Sequence, residues 1–183
     1  KTNKSALLKE GCFNNGNVAP GALLYNAGNI AESIYFKEGL VTIQDESSQL
    51  VAPLLSPSEN DLVLDMCCAP GSKTTHLAAL MNNKGKIIAC DLFEHKIKLV
   101  KENLKRLNIS NVELHAIDAT SLKKKYLEGT FDKILLDAPC SGLGVMKRKP
   151  EIKYHDSSVM DTIIPLQAKL LDNAYYLLKN NGK

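Results

Sequence analysis

The chain has 183 residues, of which 44% are hydrophobic and 23% are charged, a composition typical of a globular domain with a hydrophobic core. The sequence contains no run of about 18 apolar residues, so neither a membrane-spanning helix nor a membrane partner is predicted. Its net charge of +3 permits a nucleic-acid partner but is too small to indicate one by itself.

The first part of the chain, up to about residue 60, predicts short elements separated by turns. A short helix is predicted around residues 6–8, and glycine and proline interrupt the pattern between Gly11 and Gly28. A second short helix is predicted over residues 44–55. We interpret residues 1–35 as the end of a preceding module with its linker, and residues 36–183 as the main domain.

Beyond residue 60, short apolar runs alternate with helical patterns. The apolar runs predict strands over residues 62–64, 86–90, 112–116 and 131–136. A helix is predicted to follow Ser72, which can act as its capping residue. The clearest helical pattern is the apolar stripe of Ile97, Val100, Leu104 and Leu107. A last helix is predicted to start near Pro165, because proline is favoured at the first helical position. Its predicted buried residues are Leu166, Leu170, Leu171, Ala174, Leu177 and Leu178.

Strands that alternate with helices predict an α/β fold with a mostly parallel sheet covered on both faces. Ligands of such sheets bind beyond the carboxyl ends of the strands. Each predicted strand ends in an aspartate or within two residues of one. These residues are Asp65, Asp91, Asp118 and Asp137. We therefore expect a polar rim around a single ligand.

The segment that joins the first of these strands to its helix, residues 65–74, lies where a doubly wound fold places its cofactor loop. The small residues in this segment let the backbone approach a ligand, and the helix start offers free N–H groups to an anion. The segment matches neither the dinucleotide fingerprint nor the phosphate-binding P-loop. Asp91, at the end of the second strand, suits a ribose diol, a requirement that NAD and S-adenosylmethionine share.

Four segments carry a resemblance to a known family. They read DMCCAPGSKT over residues 65–74, LDAPCSGLG over 136–144, GLVTIQDESS over 39–48 and KRKPEIK over 147–153. In this order they closely resemble the Sun (Fmu) family of S-adenosylmethionine-dependent RNA cytosine-5 methyltransferases, including its ribosomal RNA members. The resemblance covers residues from about 36 to the end of the chain.

The resemblance implies a Rossmann-like methyltransferase domain whose C-terminal strands lie outside this chain, with residues 1–35 as the end of an RNA-binding module. The residues that it implies around the methionine part of S-adenosylmethionine are Cys67, Cys68, Ala69, Pro70, Gly71, Ser72 and Lys73. It implies ribose contacts for Asp91, an adenine contact for Asp118, and a place near the amino group or the reaction centre for Asp137. Cys68 and Ser72 replace the small residues usual in the family and should leave the site open.

The resemblance also implies transfer of the methyl group to carbon 5 of a cytosine in RNA, with small-subunit ribosomal RNA as the expected substrate. Cysteine catalysis activates that carbon, because a thiolate added to carbon 6 makes carbon 5 nucleophilic. Cys140 is the expected catalytic cysteine here, acting in product release or as an alternative nucleophile. The family's main nucleophile, in a Thr-Cys motif, is not found up to Lys183, so a chain that ends there is expected to turn over poorly.

Three basic residues just after this motif, Lys147, Arg148 and Lys149, are expected to contact RNA phosphates. The five cysteines and four histidines show no spacing typical of a metal site. The odd cysteine count favours a reducing, cytoplasmic environment.

Three alternatives to the expected function stay open. They are a DNA cytosine methyltransferase, which the form of the cysteine motif disfavours, a non-catalytic RNA-binding scaffold, and a dehydrogenase, whose glycines are missing.

Overall fold

The computed structural model describes residues 3–147, 150–154 and 159–183. An N-terminal part precedes the main sheet and contains three short helices and an antiparallel pair of strands. Its elements are α1 (Lys4–Lys9), β1 (Phe13–Asn15), β2 (Leu23–Tyr25), α2 (Ile34–Lys37) and α3 (Val51–Leu55). The main part alternates strands and helices, as the hydrophobic pattern predicts. Its elements are β3 (Leu62–Asp65), α4 (Ser72–Leu80), β4 (Lys86–Asp91), α5 (Glu94–Arg106), β5 (Val112–Ala116), β6 (Lys133–Leu135) and α6 (Val159–Leu177).

The main sheet contains four parallel strands in the order β5-β4-β3-β6. Asp65 at the end of β3 pairs in register with Ala89 of β4 and with Leu135 of β6. The carboxyl ends of β3, β4 and β6 therefore meet at one edge, where the loops that follow them can share a ligand. The predicted α/β class and parallel sheet are confirmed.

Two hydrophobic clusters cover the two faces of the sheet. Along β3, Val63 belongs to the cluster beneath α4 and α5, whereas Leu64 belongs to the cluster beneath α6. This alternation follows from the two-residue repeat of a strand, and burial on both faces explains why β3 is apolar up to Asp65 at its end. The predicted stripe of α5 is buried at Ile97, Val100 and Leu104. No helix in the described parts of the chain is long and apolar enough to span a membrane.

Two predictions about helix ends are wrong. Gly71, not Ser72, occupies the N-cap position of α4, and no side chain caps this helix. Helix α6 begins at Val159, so Pro165 lies inside it. Pro165 is exposed, and water can therefore satisfy the carbonyl that the missing N–H leaves unpaired.

Leu171 was predicted to be buried but is 63% exposed. The buried side of α6 is formed by Leu170, Asn173, Ala174 and Leu177, which follow the helical repeat. A residue one position after Leu170 is rotated by about 100° from it and points away from the sheet.

The fourth predicted strand is shorter than the apolar run. Strand β6 covers three residues, and Phe131 instead forms an isolated parallel bridge with Leu178. The amide of Ile134 donates to the carbonyl of Lys183 at 2.9 Å, and the amide of Lys183 donates to the carbonyl of Asp132 at 3.2 Å. The chain after α6 therefore runs beside β6.

The segment after α2 is fixed to the end of α5. The Arg106 guanidinium donates to the carbonyls of Phe36 and Val41 at 2.8 and 3.0 Å, and lies 3.8 Å from the centre of the Phe36 ring. Gly39 has φ +73°, and a Cβ atom there would lie 2.0 Å from the carbonyl oxygen of Arg106. Helix α2 spans the predicted domain boundary at residues 35 and 36, and the functional division of the chain stays a prediction.

Candidate methyltransferase site

The loop between β3 and α4 is pressed against α5. Gly71 begins α4 with φ +99°, a conformation that L side chains rarely adopt. A Cβ atom at Gly71 would also lie 2.9 Å from Cγ1 of Val100, a fully buried residue of α5. Both constraints favour glycine, and its missing side chain lets the start of α4 pack closely against α5. The peptide bond between Ala69 and Pro70 is cis.

Asp91, at the end of β4, holds this loop in place. Its Oδ2 accepts the amide N–H of Ala69 at 3.4 Å, and its Oδ1 accepts the N–H of Phe93 at 3.2 Å. Lys96 Nζ lies 4.0 Å from Oδ1. The predicted ribose-binding carboxylate is therefore next to the predicted cofactor loop, and only 9% of this residue is exposed.

Asp65 is a buried acid with unused hydrogen-bonding capacity. The Thr74 hydroxyl donates to its Oδ2 at 2.7 Å, whereas Oδ1 has no hydrogen-bond partner among the described residues. Burial raises the pKa of Asp65 to about 7, although the Thr74 hydroxyl lowers that pKa in part. Asp65 was predicted from the sequence to lie on the polar rim, but no motif marked it as a binding residue.

Lys73 and Asp137 form an ion pair that joins α4 to the loop after β6. Lys73 Nζ lies 2.7 Å from Asp137 Oδ2, and the Asp137 side chain is 56% exposed. Both residues line a small cavity of about 30 Å³. The other lining residues are Asp65, Cys67, Cys68, Ala69, Pro70 and Ser72. A cavity of this size fits a small polar group, such as an ammonium, whereas a nucleoside must lie outside it.

Asp118 lies apart from this cavity. It follows β5, which is separated from β3 by β4, and its side chain accepts the N–H of Thr120 at 2.9 Å. This hydrogen bond caps the 3₁₀-helix Ala119–Lys124. The adenine contact expected for Asp118 stays a prediction.

The cysteines differ sharply in their surroundings. Burial raises the pKa of both Cys67 and Cys90 to about 12 and also raises that of Cys68, so these three thiols resist ionisation. Cys140 is exposed, whereas the other four cysteines, which also lie in described parts of the chain, are half-buried or buried. The carbonyl of the preceding Pro139 accepts a hydrogen bond from Gln167 of α6 at 2.8 Å, which anchors the motif.

Of the three basic residues expected to contact RNA, Lys147 is exposed, whereas Arg148 and Lys149 lie outside the described residues. Lys147 lines an open groove together with residues of the lead-in to α3. Within the described residues, no group of three or more His, Cys, Asp or Glu side chains could hold a metal ion.

Residues 52–183 match the model of the family described as "16S rRNA methyltransferase RsmB/F". The chain belongs to this family. This match confirms the family that the sequence motifs predict, and with it the Rossmann-like fold and the dependence on S-adenosylmethionine.

One RsmB/F relative, the "Probable ribosomal RNA small subunit methyltransferase B" of Bacillus subtilis, is 46% identical over 170 residues, which cover 91% of this chain and 38% of the relative. A methyltransferase homologue from Pyrococcus horikoshii has a crystal structure with a TM-score of 0.82 and 33% identity, covering 97% of this chain and 57% of that one. The structure of NSun6 from the same organism, crystallised with SFG, has a TM-score of 0.77 and 36% identity. The match covers 84% of this chain and 39% of that one.

Proposed function

We propose that this protein, at the length of its relatives, transfers a methyl group from S-adenosylmethionine to carbon 5 of a cytosine in small-subunit ribosomal RNA, through a covalent cysteine adduct. The observation that carries the proposal is the position of Cys140. This exposed thiol follows Asp137 by three residues, and Asp137 is paired with Lys73 at the start of α4. The accessible thiol and the cofactor loop therefore lie at the same edge of the sheet.

The residues around the loop have the chemistry needed to hold S-adenosylmethionine. Asp91 can accept hydrogen bonds from the ribose hydroxyls. The buried Oδ1 of Asp65 and the exposed carboxylate of Asp137 are acceptors for the amino acid ammonium. The free N–H groups at the start of α4 suit its carboxylate. When bound, S-adenosylmethionine supplies an electrophilic methyl group.

Cysteine chemistry explains why an exposed thiol is needed beside this loop. Addition of a thiolate to carbon 6 of cytosine makes carbon 5 nucleophilic, so that carbon 5 can take the methyl group as the donor's sulfonium–methyl bond breaks. Loss of the proton from carbon 5 to a base then expels the thiolate and restores the ring. The resemblance of the chain to the Sun (Fmu) family implies that Cys140 assists the release of the product and that a second cysteine forms the adduct. Lys73 holds Asp137, which precedes Cys140 by three residues, in an ion pair, and this carboxylate can serve either proton transfer or ammonium binding.

In the protein at the length of its relatives, Cys140→Ala is expected to accumulate a covalent protein–RNA adduct. The variant should form the adduct with S-adenosylmethionine and labelled ribosomal RNA transcript but release it at least about 100-fold more slowly, within the range typical of lost acid–base assistance. Denaturing gels measure the adduct, and mass spectrometry of the RNA identifies the methylated base. Cys12→Ser, in the N-terminal part, is the control.

Absence of both adduct and product in Cys140→Ala would instead make Cys140 the nucleophile. Release of methylated RNA at the wild-type rate would refute a role for Cys140. A methylated base other than 5-methylcytosine would refute the proposed reaction.

The affinity for S-adenosylmethionine is expected to depend on pH through Asp65. Its folded pKa of about 7 lies above the ordinary value of 3.8, so the neutral acid predominates below pH 7 and binds an ammonium poorly. Affinity should fall about tenfold per pH unit below 7 and level off above it. Calorimetric titrations between pH 5.5 and 8.5 measure this slope.

Asp65→Asn is the matched control, because it preserves the shape but removes the titrating group. Its affinity should be weak and independent of pH. The raised pKa also means that the stability contributed by Asp65 is fully present below pH 3.8 and lost as pH rises through about 7. At pH 8 the variant should therefore be at least as stable as the wild type, which separates lost binding from lost folding. A pH-independent wild type would contradict the ammonium contact.

A further inference from the structure

An exposed aromatic pair follows the proposed ribose-binding carboxylate. The ring centroids of Phe93 and His95 lie 5.6 Å apart, and the two rings are inclined by 33°. Phe93 is 47% exposed, the preceding Leu92 is 57% exposed, and His95 is exposed as well. A single exposed apolar side chain is ordinary, whereas adjacent ones beside a proposed site indicate a surface that binds something.

The aromatic pair adjoins the cofactor loop but faces away from it. The Phe93 amide donates to Oδ1 of Asp91 at 3.2 Å, which fixes the pair at the end of β4. His95 is rotated by about 160° around α5 from Ile97, which is buried against the sheet. The two rings therefore lie on the outer side of the helix, whereas Asp91 contacts the Ala69 amide of the loop.

Helix α5 concentrates the positive charge of the chain. It carries five basic and two acidic side chains, a net charge of +3 that equals the net charge of all 183 residues. Arg106 is occupied by the carbonyls of Phe36 and Val41. Lys96 lies 4.0 Å from Asp91 Oδ1 and 4.9 Å from the centre of the Phe93 ring.

The other three basic side chains of α5 form a row on its exposed surface. Lys98, Lys101 and Lys105 fall within about 60° around the helix axis and span about 10 Å along it. All three are exposed, and none of them forms an ion pair within the part of the chain that the structure describes. Glu94 and Glu102 lie on the same side and leave it with a positive net charge.

The aromatic pair and the lysine row fit an unpaired segment of RNA. Proteins hold single strands by stacking bases on aromatic side chains and by placing cations along the phosphates. The bases of a duplex are stacked on one another, so their faces are closed to a protein. Strands β4 and β6 are separated only by β3, and neighbouring strands lie roughly 5 Å apart, so the pair is close to the loop that carries Cys140.

We propose that the outer surface of α5 binds an unpaired segment of the substrate RNA beside the target cytosine. One base stacks on Phe93 and His95, and the phosphates of the adjoining nucleotides lie along Lys98, Lys101 and Lys105. The inference rests on the proposed function, because it takes the RNA substrate and the place of the target base from that function. It adds an RNA-binding surface to the one expected after the Cys140 motif.

The chain contains no tryptophan, so Phe93→Trp places a single fluorescent reporter in the aromatic pair and keeps an aromatic face there. Titration with a short single-stranded oligoribonucleotide is expected to quench this fluorescence as a base stacks on the indole. Tyr175→Trp is the matched control, because Tyr175 is exposed on α6, which packs on the other face of the sheet. Absence of quenching in Phe93→Trp, or equal quenching in both variants, would overturn the proposal.

Stacking is separated from charge by a second pair of titrations. Phe93→Ala should weaken binding of the oligoribonucleotide at least about fivefold, since stacking on an aromatic side chain contributes this much or more per base. An oligonucleotide without bases should bind Phe93→Ala as it binds the wild type. Equal affinity of Phe93→Ala and the wild type for the intact oligoribonucleotide would exclude stacking on this ring.

The lysine row is tested by the salt dependence of binding. Replacement of Lys98, Lys101 and Lys105 by alanine should reduce the slope of log Kd against log salt concentration by about two, because each phosphate contact on a single strand contributes about 0.7. The control replaces Lys123, Lys124 and Lys125, which are exposed and follow β5, and it should leave the slope unchanged. An equal reduction in both variants would contradict a specific row on α5.

Titration of the same variants with S-adenosylmethionine distinguishes the two proposals. Phe93→Ala should bind S-adenosylmethionine as tightly as the wild type, and a parallel loss of both ligands would assign the ring to the adenine of the cofactor and overturn the RNA surface. If the wild type binds S-adenosylmethionine but RNA does not quench Phe93→Trp, the surface fails and the proposed function stands. If RNA binds as expected but the protein at the length of its relatives methylates no cytosine, the proposed function fails and the surface stands.

Discussion

Replacement of Asp91 by alanine is expected to weaken the binding of S-adenosylmethionine by at least about 100-fold. Loss of two hydrogen bonds from the ribose hydroxyls to a charged group costs about 3 kcal/mol or more, and each 1.4 kcal/mol corresponds to a factor of ten. The effect is enlarged because Asp91 also accepts the Ala69 amide and so holds the cofactor loop in place. Titration calorimetry of wild type and variant measures the loss.

Asp91→Asn is the informative companion variant. It keeps a neutral oxygen acceptor for the loop amide but replaces the second carboxylate oxygen by a donor. Its affinity should lie between those of the wild type and the alanine variant. If folded Asp91→Ala binds S-adenosylmethionine as well as the wild type, Asp91 does not hold the ribose, and the cofactor site must be reassigned.

Replacement of Gly71 by alanine is expected to lower the melting temperature by roughly 4–20 °C and to abolish cofactor binding. The left-handed backbone costs an L residue about 1–2 kcal/mol, and the contact with Val100 adds about 1–3 kcal/mol of overpacking. For a chain of this size, each kcal/mol lowers the melting temperature by about 2–4 °C. Thermal unfolding followed by circular dichroism measures this change.

Gly144→Ala provides the control for this substitution. Gly144 has no atom within 4 Å of an added Cβ, so its replacement should change stability by less than about 0.5 kcal/mol. In a Val100→Ala background, Gly71→Ala should cost less, because the steric contact is relieved while the backbone strain remains. An unchanged melting temperature for Gly71→Ala would contradict the packing of this loop against α5.

Local pattern was sufficient for much of the fold. The strands β3, β4 and β5 and the stripe of α5 were predicted nearly to the residue. Burial on both faces of a parallel sheet leaves little choice of side chain in β3 and β4, and the stripe of α5 follows the helical repeat. The start of α6 was wrong, because an exposed proline within a helix has the same local signature as a proline at its first position. Long-range packing decides between these alternatives.

The sequence by itself determined the family and the alternation of strands and helices, since these depend on contiguous motifs and on hydrophobic repeats, and it predicted which loop binds the cofactor. Only the tertiary structure decided which side chains meet. The ion pair of Lys73 and Asp137 joins residues 64 positions apart, and the hydrogen bond from the Ala19 amide to the Glu46 carboxylate spans 27 positions. The raised pKa of Asp65 likewise comes from burial by distant segments. Such contacts arise when packing brings loops from separate strands to one edge of the sheet, and no local pattern encodes them.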